Sequence, residues 1–402
     1  MASVTACGGD EPAPTPPSPN PPSSPSLSSP TLQARIEGDS LYVAFVDDNG
    51  YEMCYWFCPT MANKLFTFHR VGYRTTSRTL PNVSNINEKA GITWLNRTAS
   101  DNIGPVEMRK GGWVGGNHLV NGTRTAVTKS VSIYCDGAKM TAASGEVKCN
   151  KVSIDVVNNL LDPSSSVTTE GTFSATMITE EVHYEIVRNA IEVTVSHTYS
   201  PGVDNKINTY YGMQSMFNGE DMIMTPHGPY NDFTPTSRIA SFKFGDYPKF
   251  DRFIETNSSL GWCQAAHLLP EGIGDHRYVN PNHDIFVTSV YWKYYHVLIR
   301  SLDVTGGTSY SWRGVYSWFR PIVNDDDVLV YSAVLDGVEA IYVDAKRPCS
   351  VTFALPARWA ADGKKVVVAQ ADNGITLNAD NASQVRLSAS GAGTAILKLA
   401  AR

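Results

Sequence analysis

Residues 111–137, GGWVGGNHLVNGTRTAVTKSVSIYCDG, set Asn117 and His118 among Gly111, Gly112, Gly115 and Gly116, where the backbone is free to approach another surface closely. An imidazole exchanges a proton near neutral pH, and a fixed amide orients an anion. A second group lies in VSHTYSPGVDNKINTYYGMQ, residues 195–214. On a strand, His197 and Tyr199 share a face by the period of two, joining a base to a phenol that can supply a proton. Gln214 adds a neutral amide. The third group is KYYHVLIRSLDVTGGTSYSWRGVY, residues 293–316. A strand here puts Lys293 and Tyr295 on one face and Tyr294 and His296 on the other, with Trp312, Arg313 and Tyr316 following across a hairpin. A cation beside Tyr and Trp suits a ring that carries a carboxylate, because the cation meets the charge while the aromatic face stacks. The competing reading of all three groups is structural: a tight turn, a chance His-x-Tyr, and sheet packing.

Carboxylate chemistry has weaker support. Glu180, Glu181, Glu185 and Glu192 are near one another but read as a solvated sheet face, and Asp284 in NPNHD has no evident partner. The chain has no GxSxG, P-loop, dinucleotide fingerprint, HExxH or EF-hand loop, so serine-hydrolase, nucleotide and metalloprotease readings lose their support. Charged residues are 18% and the net charge is −6, which offers no basic field for nucleic acid. The 19 Tyr and 8 Trp suit either carbohydrate or ordinary sheet packing.

These side chains must be held by strands. SLYVAFVDDNGYEMCYWF reads as a hairpin about Asn49-Gly50, and runs of β-branched and aromatic residues closed by Gly, Asp or Asn recur to Phe319. No long helical period interrupts them. The expected fold is all-β: a large antiparallel β-sandwich or jelly roll over 32–323, with a small β-sandwich domain over 324–402. All nine histidines precede that second domain, which makes it a support. Cys54, Cys58, Cys135, Cys149, Cys263 and Cys349 carry no zinc spacing, and buried free thiols are the expectation for most of them.

VTACGGDEP resembles the end of a bacterial lipoprotein signal with Cys7 as the acylated residue, and Asp10-Glu11 resembles a Bacteroidetes surface-export signal. The opening MAS reads as a recombinant start in place of the apolar part of such a signal. Nine prolines from Pro12 to Pro30 make this stretch of the N-terminal residues 1–31 an extended tether, which alone reaches about 60 Å at ~3.1 Å per residue. Together these features resemble a surface lipoprotein of the outer membrane, touching the membrane only through its lipid.

The β-rich body with its His and Tyr residues resembles the glycosaminoglycan (chondroitin or hyaluronan) lyases of that phylum. That resemblance implies an acidic polysaccharide partner and β-elimination at a uronic acid. The expected roles are His118 or His197 as base, Tyr199 or Tyr295 as acid, and Asn117, Gln214 and Arg313 on the carboxylate. Lys293 and Trp312 would complete the sugar site. No cofactor or catalytic metal is expected; structural calcium accompanies jelly-roll lyases, but no site for it is defined. The alternatives are a glycoside hydrolase using Asp284 and a glutamate, or a surface protein that binds glycan without cleaving it.

Overall fold

The computed structural model describes residues 30–47, 49–87, 91–99, 101–219, 221–226, 241–289, 293–361, 365–381 and 383–400. Cys7 and nearly all of the proline-rich tether lie outside the described residues. The fold is an all-β sandwich in which every pairing between named strands is antiparallel. Among the described residues no helix is long and apolar enough to cross a membrane.

One layer is a nine-stranded sheet, largely a meander: Ala126–Cys135, Val152–Leu161, Thr176–Val187 and Ala190–Tyr199 lie side by side, followed by Ser309–Phe319, Trp262–Leu268 and Arg252–Asn257. Its inner face carries Trp312, Tyr316 and Trp318 at the strand period of two. Two six-stranded sheets share that face. Tyr55 and Phe68 of the first meet Trp318 and Tyr316 edge-on, and Tyr210 of the second accepts a hydrogen bond from Trp312 Nε1 at 2.7 Å.

The hairpin about Asn49-Gly50 forms as the sequence predicts, with Ser40–Val46 paired to Tyr51–Thr60 and Gly50 at φ +78°. The expected hairpin around Gly306-Gly307 does not form within one sheet. Lys293–Thr305 belongs to the second six-stranded sheet and Ser309–Phe319 to the nine-stranded one, so the chain changes layers at that turn.

Residues from Val323 onward build two further sheets around their own core of Val328, Ile341, Phe353, Trp359 and Leu387. Leu329, Tyr331 and Tyr342 of this unit pack on Ile254, Cys263 and Phe319, which cover the outer face of the nine-stranded sheet. Arg252 and Asp344 form a buried ion pair there. Cys54, Cys135, Cys149 and Cys263 are buried free thiols; burial raises Cys54 and Cys263 to about 12. Cys135 and Cys149 Sγ are 3.2 Å apart.

Candidate active site

The second six-stranded sheet runs in the order Ser241–Lys243, Asp284–Ser289, Lys293–Thr305, Asp204–Ser215, Val106–Met108, Gly112–Val114. Its inner face contributes Tyr210, Tyr294, His296 and Leu298 to the core. Its outer face carries a row of rings. Trp113 lies 5.3 Å from Tyr211, and Tyr211 stacks at 5.0 Å on Tyr295. Trp113 and Tyr211 are half-buried, and Arg300 lies over Tyr211 at 5.4 Å.

His118 stacks on the far side of this row, 5.4 Å from Trp113. Its Nε2 is 3.9 Å from Asp101 Oδ2, and Lys293 Nζ donates to the same oxygen at 3.0 Å. Asp101 is only 1% exposed, whereas Lys293 is 21% and His118 33% exposed, so one buried carboxylate bonds Lys293 and lies near His118, both of which reach solvent. Asp101 Oδ1 accepts the backbone N–H of Asn117 at 2.5 Å. Gly116 has φ +49°, and a Cβ there would overlap that carboxylate. Of the four glycines, Gly116 is the one that approaches Asp101, while Gly115 faces Leu160, Gly111 faces Pro163 and Gly112 faces open space.

The loop is anchored from below by Asn63, which is fully buried. Its Nδ2 donates to the carbonyls of Gly116 at 2.9 Å and His118 at 3.0 Å, and its Oδ1 accepts from Thr125 N at 3.0 Å. Thr125 Oγ1 donates to the His118 carbonyl at 2.5 Å. Asn117 is spent on the same anchoring, since its Oδ1 accepts from Ala62 N at 3.0 Å. With the carbonyls of Gly115, Gly116 and His118 engaged, the imidazole projects from a fixed base.

Partial burial lowers the His118 pKa and the Lys293 charge lowers it further, while Asp101 raises it; the net direction is down from 6.5. The ring is a neutral base at physiological pH. Tyr295 is pushed well above 10, first by burial and then by the Asp101 charge, with the Gln214 hydrogen bond opposing both. Gln214 Nε2 donates to Tyr295 Oη at 2.7 Å, which leaves the phenol proton available to another acceptor. Gln214 reaches this face because the register slips between Gly212 and Ser215, where Met213 takes φ +52°. Regular alternation would aim it into the core.

The structure thus gathers His118, Asn117, Lys293, Tyr295 and Gln214. Four other expected site residues lie elsewhere. His197 and Tyr199 do share a face, but it is the core face: His197 is 2% exposed, bonds Glu180 at 2.8 Å and stacks on Tyr210, and Tyr199 is buried beside Tyr310. Trp312 is buried between the layers. Arg313 leaves on the opposite face of the nine-stranded sheet, where Glu271 and Asp336 hold it. The change of layer at Gly306-Gly307 is the reason.

The glutamates are also dispersed, and Glu180 is buried rather than solvated. Glu185 pairs with Lys151 and His183, and Glu192 accepts a backbone N–H from Asp336. Asp284 pairs with Lys243 at 3.2 Å. Among the described residues no group of three or more His, Cys, Asp or Glu side chains could hold a metal.

Asp101, Trp113, Tyr211, Arg300 and Asn63 were not anticipated. Trp113 and Tyr211 stand inside segments already singled out, and their aromaticity was the available signal. Arg300 had a misleading one. Strict alternation from Tyr294 and His296 puts it on the core face, but the pairing steps from Val297–Tyr211 to Ile299–Tyr210, and Arg300 emerges beside Tyr211. Its guanidinium donates to Thr209 Oγ1 at 2.7 Å and has no carboxylate partner among the described residues.

No family model and no curated protein matches the chain. Among solved structures, it is similar to a family GH36 α-galactosidase of Geobacillus stearothermophilus (12% identity, 72% of this chain and 40% of that one, TM-score 0.36). It is also similar to a heparinase III (10%, 76% and 38%, TM-score 0.28) and to a galactose mutarotase-like protein of Clostridium acetobutylicum (10%, 73% and 99%, TM-score 0.32). The chain spans about 40% of the α-galactosidase. At these scores the similarities carry no argument about the reaction.

Proposed function

We propose that the outer face of the second six-stranded sheet binds a uronic-acid-containing glycan and cleaves it by β-elimination. One observation carries this reading: a histidine stands beside the buried aspartate that a lysine bonds, next to an aromatic row whose Tyr211 lies under an arginine with no carboxylate partner among the described residues. Trp113 and Tyr211, whose faces stack on His118, Tyr295 and one another, offer their solvent-side edges as an apolar strip for sugar C–H groups. Arg300 meets the uronate carboxylate in a charge-assisted pair and withdraws charge from it, which acidifies the C5 proton. His118 takes that proton as the C4–O bond breaks and the C4–C5 double bond forms. Tyr295, protonated and within the field of Asp101, gives its proton to the departing oxygen. Asp101 fixes the loop that carries His118 through the Asn117 N–H, and the charges of Asp101 and Lys293 tune the basicity of the imidazole.

A lipid on Cys7 and the proline-rich tether would carry this domain at the outer cell surface, where such a glycan is met. The test is incubation of the protein with hyaluronan, chondroitin and polygalacturonate. New ultraviolet absorbance from the unsaturated product supports elimination. New reducing ends without absorbance indicate hydrolysis, and retardation in a glycan gel without products indicates binding alone.

A further inference from the structure

Cys135 and Cys149 take no part in the chemistry above, yet the fold sets them side by side. Their Sγ atoms are 3.2 Å apart, and both side chains are buried in the main core. Cys135 ends the strand Ala126–Cys135 of the nine-stranded sheet, and Cys149 ends Glu146–Cys149, an edge strand of the first six-stranded sheet. A bond between the sulfurs would therefore join two layers of the sandwich. Cys149 is also paired in register with Leu32, the first residue of the first strand, so the junction lies at the entry to the domain.

The backbone around the pair is fixed. Asp136, at φ +47°, turns the chain directly after Cys135. Its carboxylate accepts the N–H groups of Asn150 at 3.0 Å and Lys151 at 2.9 Å, and its own N–H donates to Lys151 O at 3.0 Å. One residue thus ties the position after Cys135 to the two positions after Cys149. Sulfurs held this close need only small rotations about the Cα–Cβ bonds to reach the disulfide distance of about 2.0 Å. The two thiols are not equivalent. Cys149 S–H donates to Cys135 Sγ, which lowers the Cys135 pKa and raises that of Cys149, so Cys135 ionises first.

We infer that Cys135 and Cys149 form a disulfide that staples these two layers when the protein meets an oxidant that itself carries a disulfide. The Cys135 thiolate attacks one sulfur of the oxidant, breaking its S–S bond and expelling one thiolate. Cys149 gives up its proton, attacks Cys135 Sγ and expels the second. The protein loses two electrons and two protons, and the oxidant is reduced to two thiols. The strands Ala138–Met140 and Glu146–Cys149 are short and stand at the edges of their sheets, and the turn Ala142–Ser144 between them is exposed. Local opening of this segment admits the oxidant, and reclosing shields the product from reductant.

The test is a digest. Reduced protein is equilibrated with oxidised glutathione, its free thiols are alkylated in denaturant, and the chain is cut with trypsin. Cleavage after Lys129, Lys139, Lys148 and Lys151 leaves Cys135 in residues 130–139 and Cys149 in residues 149–151. The two peptides should be recovered joined, and reductant should release them. Cys149→Ala should abolish the joined peptide, whereas Cys263→Ala, on the outer face of the nine-stranded sheet, should leave it. Oxidised wild type should melt roughly 5 °C above the reduced protein, the scale of a loop closed over 14 positions in a domain of this size. Cys149→Ala should melt alike with and without reductant.

Recovery of both wild-type peptides separate and alkylated, after native equilibration and after refolding in the same buffer, would overturn the assignment. So would either cysteine joined to a different one. Equal melting of oxidised and reduced wild type would overturn the staple.

Discussion

Gly116→Ala tests the arrangement of the candidate site at a single atom. The new methyl carbon would overlap Asp101 Oδ1 and stand 3.0 Å from Cγ. Ordinary contact between carbon atoms is about 3.5–4.0 Å, so the carboxylate must withdraw by roughly 1 Å. The withdrawal breaks the bond from Asn117 N at 2.5 Å and lengthens the Lys293 contact at 3.0 Å. It also moves the charge that tunes His118.

The φ of +49° adds a backbone penalty of about 1–2 kcal/mol for any residue with a Cβ. Gly122→Ala separates the two effects: its φ is +78°, and nothing lies within 4 Å of its added carbon. Urea denaturation should report a similar backbone loss of about 1–2 kcal/mol for both variants, with a further loss in Gly116→Ala. Initial rates of unsaturated-product formation should fall about 10²-fold for Gly116→Ala, the scale of a 1 Å misplacement, and by much less for Gly122→Ala. Equal rates in the two folded variants would refute the role given to Asp101.

Other outcomes follow from named groups. The kcat/KM profile on a uronate polymer should hold at neutral pH and fall on an acid limb below 6.5, because His118 must be deprotonated. Lys293→Met removes a charge that lowers this pKa, so the limb should move to higher pH; an unmoved limb would separate His118 from Lys293. Arg300→Ala should cut kcat/KM about 10–100-fold, the loss of a charge-assisted bond, whereas Arg313→Ala should leave turnover intact and cost at most about 1 kcal/mol of stability as an exposed ion pair. His296 is fully buried, donates to Ala266 O at 3.0 Å and titrates only at about 3. The unfolded chain therefore binds an extra proton below 6.5, and stability falls as pH drops from there toward 3. His296→Gln keeps a donor and should flatten that slope by about 1.4 kcal/mol per pH unit, read by urea midpoints across the range.

How far the sequence carried this account depended on the range of the interaction. Strand patterning and the Asn49-Gly50 turn are local, and they led directly to the all-β sandwich. The shared face of Lys293 and Tyr295 was legible for the same reason. Asp101 was not, because its carboxylate meets Lys293 across 192 positions and nothing in its own segment marks it. His197 was misread because alternation fixes which residues share a face but not which face is buried; its partner Glu180 sits on the neighbouring strand, directly opposite in register. Gln214 and Arg300 depend on register slips, which the period of two cannot anticipate. Gly116 of the glycine run does make a close approach, but the group it meets is an aspartate of the same chain.

The most direct measurement is a crystal structure of His118→Ala with a bound uronate tetrasaccharide. A sugar ring should lie along the edges of Trp113 and Tyr211, with its carboxylate about 3 Å from the Arg300 guanidinium and C5 facing the space left by the imidazole. A tetrasaccharide bound away from this sheet face, or with its carboxylate turned from Arg300, would contradict the account.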